Sequence, residues 1–346
     1  MTLTPVPVFY PTQHGLHAPE AEYDNGLITP YAEVAERIEV IKAALLALPF
    51  VQLEPATAVI SISELEQVHA PELLNYLRVM SEWSARHEGR YYYPSVFPGY
   101  FARGVGVNGD RVLGGMFAFD IHAPIGMGTE TAVFQSAASA LSAAQVVLEG
   151  KTNVAYALCR PPGHHAGRSF SGGYCYLNNA VLAANRLKAL GKGAILDIDY
   201  HHGNGTQDMV WDDPEIFFAS LHADPAFEYP YYCGYVAETG GPHAPDTIAN
   251  FPLPKQTSDE LYLTTLHAAL EAIEAFAPNW LVVSLGFDTF GEDPICTFAL
   301  SEGIYQEIGK HIKKLALPTV LVQEGGYAVS KLGDLAQNFM VGITGF

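Results

Sequence analysis

The chain has 346 residues, of which 49% are hydrophobic and only 16% are charged. This composition supplies a sizeable buried core and excludes an intrinsically disordered chain. The 18 basic residues against 37 acidic ones give a formal net charge of −19 at pH 7. Such an acidic chain argues against nucleic-acid binding, which requires a basic surface, and favours neutral or cationic partners.

The cysteines and the hydropathy pattern indicate a soluble protein of a reducing compartment. The cysteines show no CxxC spacing, which is typical of reduced thiols rather than of a disulfide framework: Cys159, Cys175, Cys233 and Cys296. The N-terminal region has neither a basic start nor an apolar run of signal length. No segment approaches about 18 consecutive apolar residues. We therefore expect a cytoplasmic protein with no membrane partner.

Several segments carry apolar residues at helical spacing, which predicts helices over residues 34–48, 133–148, 178–190, 260–273 and 304–315. Thr257 and Glu260 form a capping-box pattern ahead of the fourth of them. Short, continuously apolar runs lie between the helices and predict buried parallel strands: Val154–Leu158, Ala194–Ile198, Ile216–Ser220, Leu281–Leu285 and Thr319–Val322. This alternation indicates an α/β fold with a doubly wound, mostly parallel sheet flanked by helices. Because no repeat or linker interrupts the chain, we predict a single domain over residues 1–346.

Residues 81–125 differ from the rest of the chain, because they are rich in aromatic residues and glycine and show little periodicity. A long irregular segment in a compact domain is usually functional or forms an interface. We therefore predict an irregular insertion here.

Each predicted strand is followed at once by glycine, histidine or acidic residues. The sequences at these strand ends are CRPPGHHAG, DIDYHHGNGTQD, SLHADP, LGFDTFGEDP and QEGGY. In open α/β sheets the functional site lies at the carboxyl ends of the strands. The sequence therefore predicts one site at this edge of the sheet.

A metal site is predicted at the end of the second of these strands. Asp197, Asp199 and His201 are spaced by two, which puts them on one face of an extended chain. Asp288, after the fourth strand, supplies a further ligand. Two Asp and one His with an open fourth position are typical of a catalytic metal site. The alternative is that these residues only cap turns and helices.

A tandem pair, His164 and His165, follows a Pro-Pro-Gly turn at the same predicted edge. One of these imidazoles could take a proton from an attacking water, although histidine pairs also occur on ordinary surfaces. Tyr327 follows two glycines and could donate a hydrogen bond to an oxyanion. Taken alone, Tyr327 fits an ordinary loop residue as well.

These motifs, together with GGYCYLNNA, follow one another in a fixed order over residues 153–327. In that order they resemble the histone deacetylase superfamily, which has the arginase-deacetylase fold. Within it the chain is most similar to the bacterial acetylpolyamine amidohydrolases, through Asn204 in HHGNGTQD, through FFASLHADP and through LGFDTFGEDPI. The first 130 residues match more loosely.

The resemblance implies a catalytic Zn²⁺ held by Asp199, His201 and Asp288, and nitrogen and oxygen ligands of this kind also accept Fe²⁺ or Co²⁺. It implies that a metal-activated water attacks an acetamide carbonyl, which Tyr327 helps to polarise. It also implies a structural K⁺ near Asp197. The further groups around that K⁺ are Ser220 and the backbone carbonyls of Asp199, His201 and Leu221.

The resemblance pairs His164 with Asp197, and His165 with Asn204. A carboxylate partner raises the pKa of an imidazole, and a neutral amide raises it much less. We therefore expect a neutral His165 that acts first as general base and then as general acid. We expect His164 to be a charged electrostatic partner.

For the substrate channel, the resemblance suggests Gly173 and Tyr174 on one wall and Tyr229 on another. Two aromatic walls fit a slender alkyl chain that carries the acetyl group, although Tyr229 fits a plain surface tyrosine equally well. Four acidic residues are candidates for binding a distal ammonium, and each is otherwise an ordinary solvated acid: Glu20, Glu22, Asp24 and Asp120.

The leading interpretation is a zinc-dependent amidohydrolase that removes acetyl groups from acetylated polyamines, which are small cationic substrates. The alternative is a deacetylase of acetyl-lysine in proteins or of other small N-acyl amides. A binuclear arginase-like hydrolase would need a second Asp where Phe290 stands, two residues after Asp288. A non-catalytic scaffold would have lost a ligand or the tyrosine. In the family the segment corresponding to 81–125 often builds a dimer, so we expect a homodimer.

Overall fold

The computed structural model of the protein describes residues 5–24, 26–97 and 115–346. The strands in this part of the chain are β1 (Val6–Tyr10), β2 (Ala21–Asp24), β3 (Leu27–Pro30), β4 (Val51–Pro55), β5 (Val154–Ala157), β6 (Gly193–Asp197), β7 (Ile216–Ala223), β8 (Ile248–Leu253), β9 (Leu281–Leu285) and β10 (Thr319–Gln323). The α-helices are α1 (Glu36–Leu46), α2 (Ile62–Val68), α3 (Pro71–Arg86), α4 (Thr129–Leu148), α5 (Asn179–Leu187), α6 (Asn204–Val210), α7 (Asp259–Phe276), α8 (Ile304–Lys313) and α9 (Leu332–Thr344).

Eight strands form one sheet in the order β4-β1-β5-β10-β9-β6-β7-β8, and every neighbouring pair in it is parallel. The strands β2 and β3 pair antiparallel as a separate hairpin. The predicted parallel α/β fold is therefore confirmed. The five strands predicted from the sequence lie side by side at the centre of the sheet, as β5, β10, β9, β6 and β7.

Helices cover both faces of the sheet, and each strand sends alternate side chains to opposite faces. Leu196 and Leu321 pack on the face covered by α1, α7, α8 and α9. Ile195 and Val322 pack on the other face, with α2, α3, α4 and α5. Burial on both faces explains why these central strands are continuously apolar instead of alternating.

Three strands of the eight-stranded sheet were not predicted: β1, β4 and β8. Two of them, β4 and β8, are the edge strands of the sheet. Their sequences, VQLEP and IANFPL, mix polar residues and proline with apolar ones. Edge strands tolerate polar residues and proline, because the backbone on one side of the strand has no neighbouring strand to pair with. Their apolar signal is correspondingly weak.

Two details of the predicted elements are corrected. The capping box of Thr257 and Glu260 is wrong by one residue, because Ser258 is the N-cap of α7 and accepts a hydrogen bond from the amide of Leu261. The irregular segment predicted over 81–125 begins too early, because residues 81–86 are the last turns of α3. Residues 98–114 of that segment lie outside the described residues.

One helix in the described part of the chain, α4, is long and apolar enough to cross a membrane when length and composition alone are considered. About two thirds of its apolar stretch, 67%, is buried inside the protein. It packs against α5 and β5 as a core helix.

Candidate active site

Three predicted metal ligands converge where β6 and β9 end. One ligand atom from each of Asp199, His201 and Asp288 lies within 4.8 Å of the others. Nδ1 of His201 is 3.4 Å from Oδ1 of Asp199 and 3.3 Å from Oδ2 of Asp288. All three side chains are buried. The three residues predicted to bind a metal therefore do lie together.

The spacing predicted that the pleat of a strand would bring these residues together, but they converge in a different way. The strand β6 ends at Asp197, so Asp199 and His201 lie in the loop beyond it. The loop is held by its own hydrogen bonds, since Oδ1 of Asp199 accepts from the amide of His201 at 2.9 Å. Asp197 accepts from the amide of Asp199 at 3.1 Å and does not belong to the cluster.

The carboxylates of the cluster are oriented by backbone amides. Oδ2 of Asp199 accepts from Gly325 at 2.7 Å, and Oδ1 of Asp288 accepts from Tyr200 at 2.9 Å. A side chain at Gly325 would overlap both carboxylates. Oδ2 of Asp288 is buried and accepts no hydrogen bond from the described residues, although Nδ1 of His201 lies 3.3 Å away. Since such an oxygen is costly to bury alone, the donor set fits a divalent cation.

The charges of the cluster support this fit. Burial, together with the neighbouring charge of Asp199, raises the pKa of Asp288 to about 7. A bound cation would remove this penalty, because it stabilises both carboxylates in their ionised form. A cation bound here would therefore stabilise the folded state.

The tandem histidines have the two partners that the resemblance implied. Nδ1 of His164 is 3.0 Å from Oδ2 of Asp197. Nδ1 of His165 is 2.6 Å from Oδ1 of Asn204. Burial would lower the pKa of His164, but Asp199 and Asp197 outweigh it and raise that pKa to about 10. Burial and the charges of His164 and His201 hold the pKa of His165 well below its ordinary value.

Tyr327 lies after β10 on the other side of the cluster and is 9% exposed. Its amide donates to Oδ2 of Asp293 at 2.6 Å, which fixes the backbone that carries it. The guanidinium of Arg37 lies 5.0 Å from the centre of the phenol ring. The ring centre of Tyr174 lies 5.7 Å away on the outer side. These contacts fix the ring, and its phenol group interacts electrostatically with the carboxylates of Asp288 and Asp199.

The predicted channel walls surround this centre. The ring centre of Tyr229 lies 5.0 Å from that of His165 and 6.0 Å from that of His201. Gly173 and Tyr174 both adopt positive φ, of 51° and 66°. A side chain at Gly173 would overlap the His165 ring. Glycine is therefore needed for the chain to pass so close to the imidazole.

Asp120 accepts hydrogen bonds from both walls of the predicted channel. Its Oδ2 accepts from the hydroxyl of Tyr229 at 2.7 Å and from the amide of Gly173 at 2.9 Å. The imidazole of His122 is 3.3 Å from the same oxygen. The structure thus gives Asp120 a role in anchoring both walls, and its binding of an ammonium stays a prediction.

The other acidic candidates differ in exposure. Glu22 is buried beside Tyr174, and burial raises its pKa although the Tyr174 hydroxyl opposes that shift. Its Oε2 has no hydrogen-bond partner in the described part of the chain. Glu20 and Asp24 are exposed. The binding of a distal ammonium by any of these residues stays a prediction.

The residues expected around K⁺ are neighbours in the sheet. Asp197 of β6 lies directly opposite Ser220 of β7. Both are fully buried, and so is Leu221. The hydroxyl of Ser220 is 2.8 Å from Nδ1 of His222. Which ion these groups hold stays a prediction.

Two buried charged residues near the site were missed. Oε2 of Glu324 accepts from the amides of Gly163 and His164, at 2.7 and 3.2 Å. Arg37 donates to the backbone carbonyls of Glu324 and Gly326. Glu324 stands inside a motif that was singled out, QEGGY, so its signal was available. Arg37 gave no signal, because one charge beside an apolar helix stripe looks like an exposed residue.

A profile of the histone deacetylase domain matches residues 31–343 of the chain. The protein therefore belongs to the histone deacetylase family. The chain is 38% identical to acetylpolyamine amidohydrolase 1 of Pseudomonas aeruginosa, over 97% of this chain and 98% of that protein. It is 36% identical to the acetylpolyamine amidohydrolase of Mycoplana ramosa, over 98% of this chain and 99% of that one.

Solved structures agree with this assignment. The crystal structure of acetylpolyamine aminohydrolase from Burkholderia pseudomallei matches with a TM-score of 0.92 and 34% identity, over 98% of both chains. The HDA15 HD domain matches with a TM-score of 0.81 at 24% identity, a similarity that concerns the fold alone. The resemblance inferred from the motifs is confirmed.

Proposed function

We propose that this protein is a metal-dependent amidohydrolase that removes the acetyl group from acetylated polyamines such as acetylputrescine and acetylcadaverine. The observation that carries this proposal is the buried Asp199–His201–Asp288 cluster beside the tandem histidines: Nε2 of His164 lies 3.7 Å from Oδ1 of Asp199, and the ring centres of His165 and His201 lie 6.0 Å apart. The similarity to proteins named acetylpolyamine amidohydrolases extends over nearly the whole chain.

The resident ion in this proposal is Zn²⁺, held by Asp199, His201 and Asp288. Fe²⁺ or Co²⁺ would suit the same donor set of one imidazole and two carboxylates. The bound ion supplies Lewis-acid chemistry, which polarises the acetyl carbonyl and makes water a better nucleophile at neutral pH.

His165 moves the protons of the reaction. Because its pKa is held low, the imidazole is neutral and can accept a proton from the attacking water. The protonated ring then gives that proton to the amine as the C–N bond breaks, so acetate and the free amine leave. His164, paired with the carboxylate of Asp197, stays cationic and favours negative charge at the centre.

The remaining residues bind and orient the substrate. The Tyr327 hydroxyl donates a hydrogen bond to the acetyl oxygen as that oxygen becomes negatively charged. Tyr174 and Tyr229 flank the alkyl chain, and Gly173 leaves room for it beside His165. Glu22 and the more exposed Glu20 give the entrance the negative charge that a cationic tail prefers, while Asp120 fixes the walls.

Three further properties belong to the same proposal. Asp197, Ser220 and Leu221 bind a structural K⁺, on the strength of their buried, adjacent positions. The chain acts as a homodimer, as is frequent in the family it resembles. It works in the cytoplasm without nucleic-acid or membrane partners, which its acidic composition and its free cysteines support.

A deacetylation screen with one purified preparation tests the proposal. The substrates are acetylputrescine, acetylcadaverine, acetylspermidine, acetyl-lysine peptides and neutral N-alkyl acetamides, and released acetate is measured. We expect the highest kcat/KM for the acetylated diamines, because a peptide brings a bulky backbone to a narrow entrance. A peptide with a higher kcat/KM than every polyamine would instead favour deacetylation of proteins. Turnover of neutral N-alkyl acetamides alone would favour a general small-amide hydrolase.

A further inference from the structure

His122, to which no sequence motif assigns a role, is held with both ring nitrogens facing hydrogen-bond acceptors. Nδ1 is 3.3 Å from Oδ2 of Asp120, and Nε2 is 3.0 Å from the backbone oxygen of Tyr23. Neither acceptor carries a proton of its own when Asp120 is ionised. A neutral imidazole has only one N–H group, so both contacts are hydrogen bonds only in the imidazolium form.

The ring stands at the outer end of the proposed channel. Its centre lies 6.2 Å from the ring of Tyr174 and 6.4 Å from that of Tyr229, the two aromatic walls. Those walls in turn contact Tyr327 and His165 at the centre. The side chain of His122 is 29% exposed, so the ring borders the path by which a substrate tail reaches solvent.

The contact between His122 and Asp120 neutralises the charge of one acidic group near the entrance. Asp120 already accepts hydrogen bonds from Tyr229 and Gly173, and its charge is matched by the imidazolium beside it. The charge of Glu22, on the hairpin β2–β3, interacts with this ring, and Oε2 of Glu22 has no hydrogen-bond partner among the described residues.

We propose that His122 is a specificity-determining residue, protonated at neutral pH, that weakens the preference of the channel entrance for cationic tails. The proposal rests on the proposed function. Burial alone would lower the pKa of His122, but Asp120, the Tyr23 carbonyl and Glu22 outweigh burial and raise the pKa to about 9. The consequence is a wider substrate class, in which acetamides with neutral tails are accepted beside acetylated diamines.

A pair of isosteric substrates tests this. N-acetylputrescine and N-pentylacetamide have the same length and differ only in a terminal ammonium or methyl group. His122→Gln keeps an amide donor for Asp120 and removes the charge, whereas the matched control His122→Arg keeps the charge. The ratio of the two kcat/KM values cancels any general loss of activity.

We expect the charged-to-neutral ratio to rise about twofold to fivefold in His122→Gln, the range of a partly exposed charge interaction. It should stay near the wild-type ratio in His122→Arg. The rise should shrink at high salt, because exposed charges are screened. A ratio that is unchanged or lower in His122→Gln would overturn the proposal.

A second measurement is independent of turnover. In ¹⁵N-histidine-labelled wild-type protein, with the signal assigned by its loss in His122→Gln, both ring nitrogens of His122 should be protonated at pH 7. One protonated nitrogen would overturn the proposal, even if the variant were too unstable for kinetics. If the wild-type protein hydrolysed neither substrate, the proposed function would fail, and the NMR result would still decide the charge of His122.

Discussion

The imidazole of His165 and the amide of Asn204 are joined by a hydrogen bond of 2.6 Å, from Nδ1 to Oδ1. The amide is oriented by its other end, because Nδ2 of Asn204 donates to the hydroxyl of Tyr232 at 2.9 Å. Since the amide oxygen can only accept, the His165 proton sits on Nδ1 and Nε2 is a free acceptor. His164 differs, because its partner is the carboxylate of Asp197.

This difference predicts unequal effects of two substitutions. His165→Ala should lower kcat by roughly 10²–10⁴-fold, the usual worth of a general base. His164→Ala should cost less, because it removes a neighbouring charge and no proton acceptor. Steady-state kinetics on both variants, with metal content measured in each, makes the comparison. A clearly larger loss in His164→Ala would show that the roles are reversed.

Tyr327→Phe removes one hydroxyl and keeps the ring that packs against Tyr174 and Arg37. Losing a donor to a developing oxyanion typically lowers kcat by about 10²–10³-fold. KM should change far less, since the bond strengthens only as charge develops. Tyr10→Phe on β1 is the matched control and should leave kcat unchanged. If Tyr327→Phe had the wild-type kcat, the hydroxyl would have no part in the reaction.

Asp288→Asn should lose the metal while the fold stays intact. The amide oxygen of Asn can still accept from Tyr200, so the loop keeps its hydrogen bond. Added Zn²⁺ should raise the Tm of the metal-free wild type, by mass action, and that of the variant much less. The metal-free variant should be at least as stable as the metal-free wild type, because one of two crowded carboxylates is gone. Equal metal content in both proteins would contradict the assignment.

Removing the side chain of Glu33 should have a large effect on the free energy of unfolding. One buried carboxylate oxygen of Glu33 accepts from Arg37 at 2.7 Å and from Arg160 at 2.9 Å. All three side chains are fully buried. Glu33→Ala leaves two buried guanidinium groups without their shared partner, which should lower the free energy of unfolding by about 3–5 kcal/mol.

The control for Glu33 is an exposed ion pair. Glu82 contacts Arg78 at 2.7 Å with about half of each side chain exposed. Glu82→Ala should change the free energy of unfolding by about 0–1 kcal/mol. Urea unfolding of both variants measures the difference. Similar values for the two substitutions would mean that the buried network contributes little.

The sequence alone determined the central strands and the chemistry at their ends. Burial on both faces makes β5, β6, β7, β9 and β10 continuously apolar, so a local run of apolar residues predicts the position of each strand. Because parallel strands end at one edge, the Asp, His and Tyr residues that follow them had to come close together. The ligand types, the tandem histidines and the family were therefore predictable.

The tertiary structure decided the rest. It set the order of the strands and placed β4 and β8 at the edges of the sheet. It also made contacts between residues far apart in the chain, such as the hydrogen bonds from Arg37 to the Glu324 carbonyl and from Tyr229 to Asp120. Hydrophobic periodicity reports whether a residue is buried, and says nothing about which distant residue it meets. A charged residue thus looks the same in sequence whether it is solvated or, like Arg37 and Glu324, buried against backbone groups that only folding brings to it.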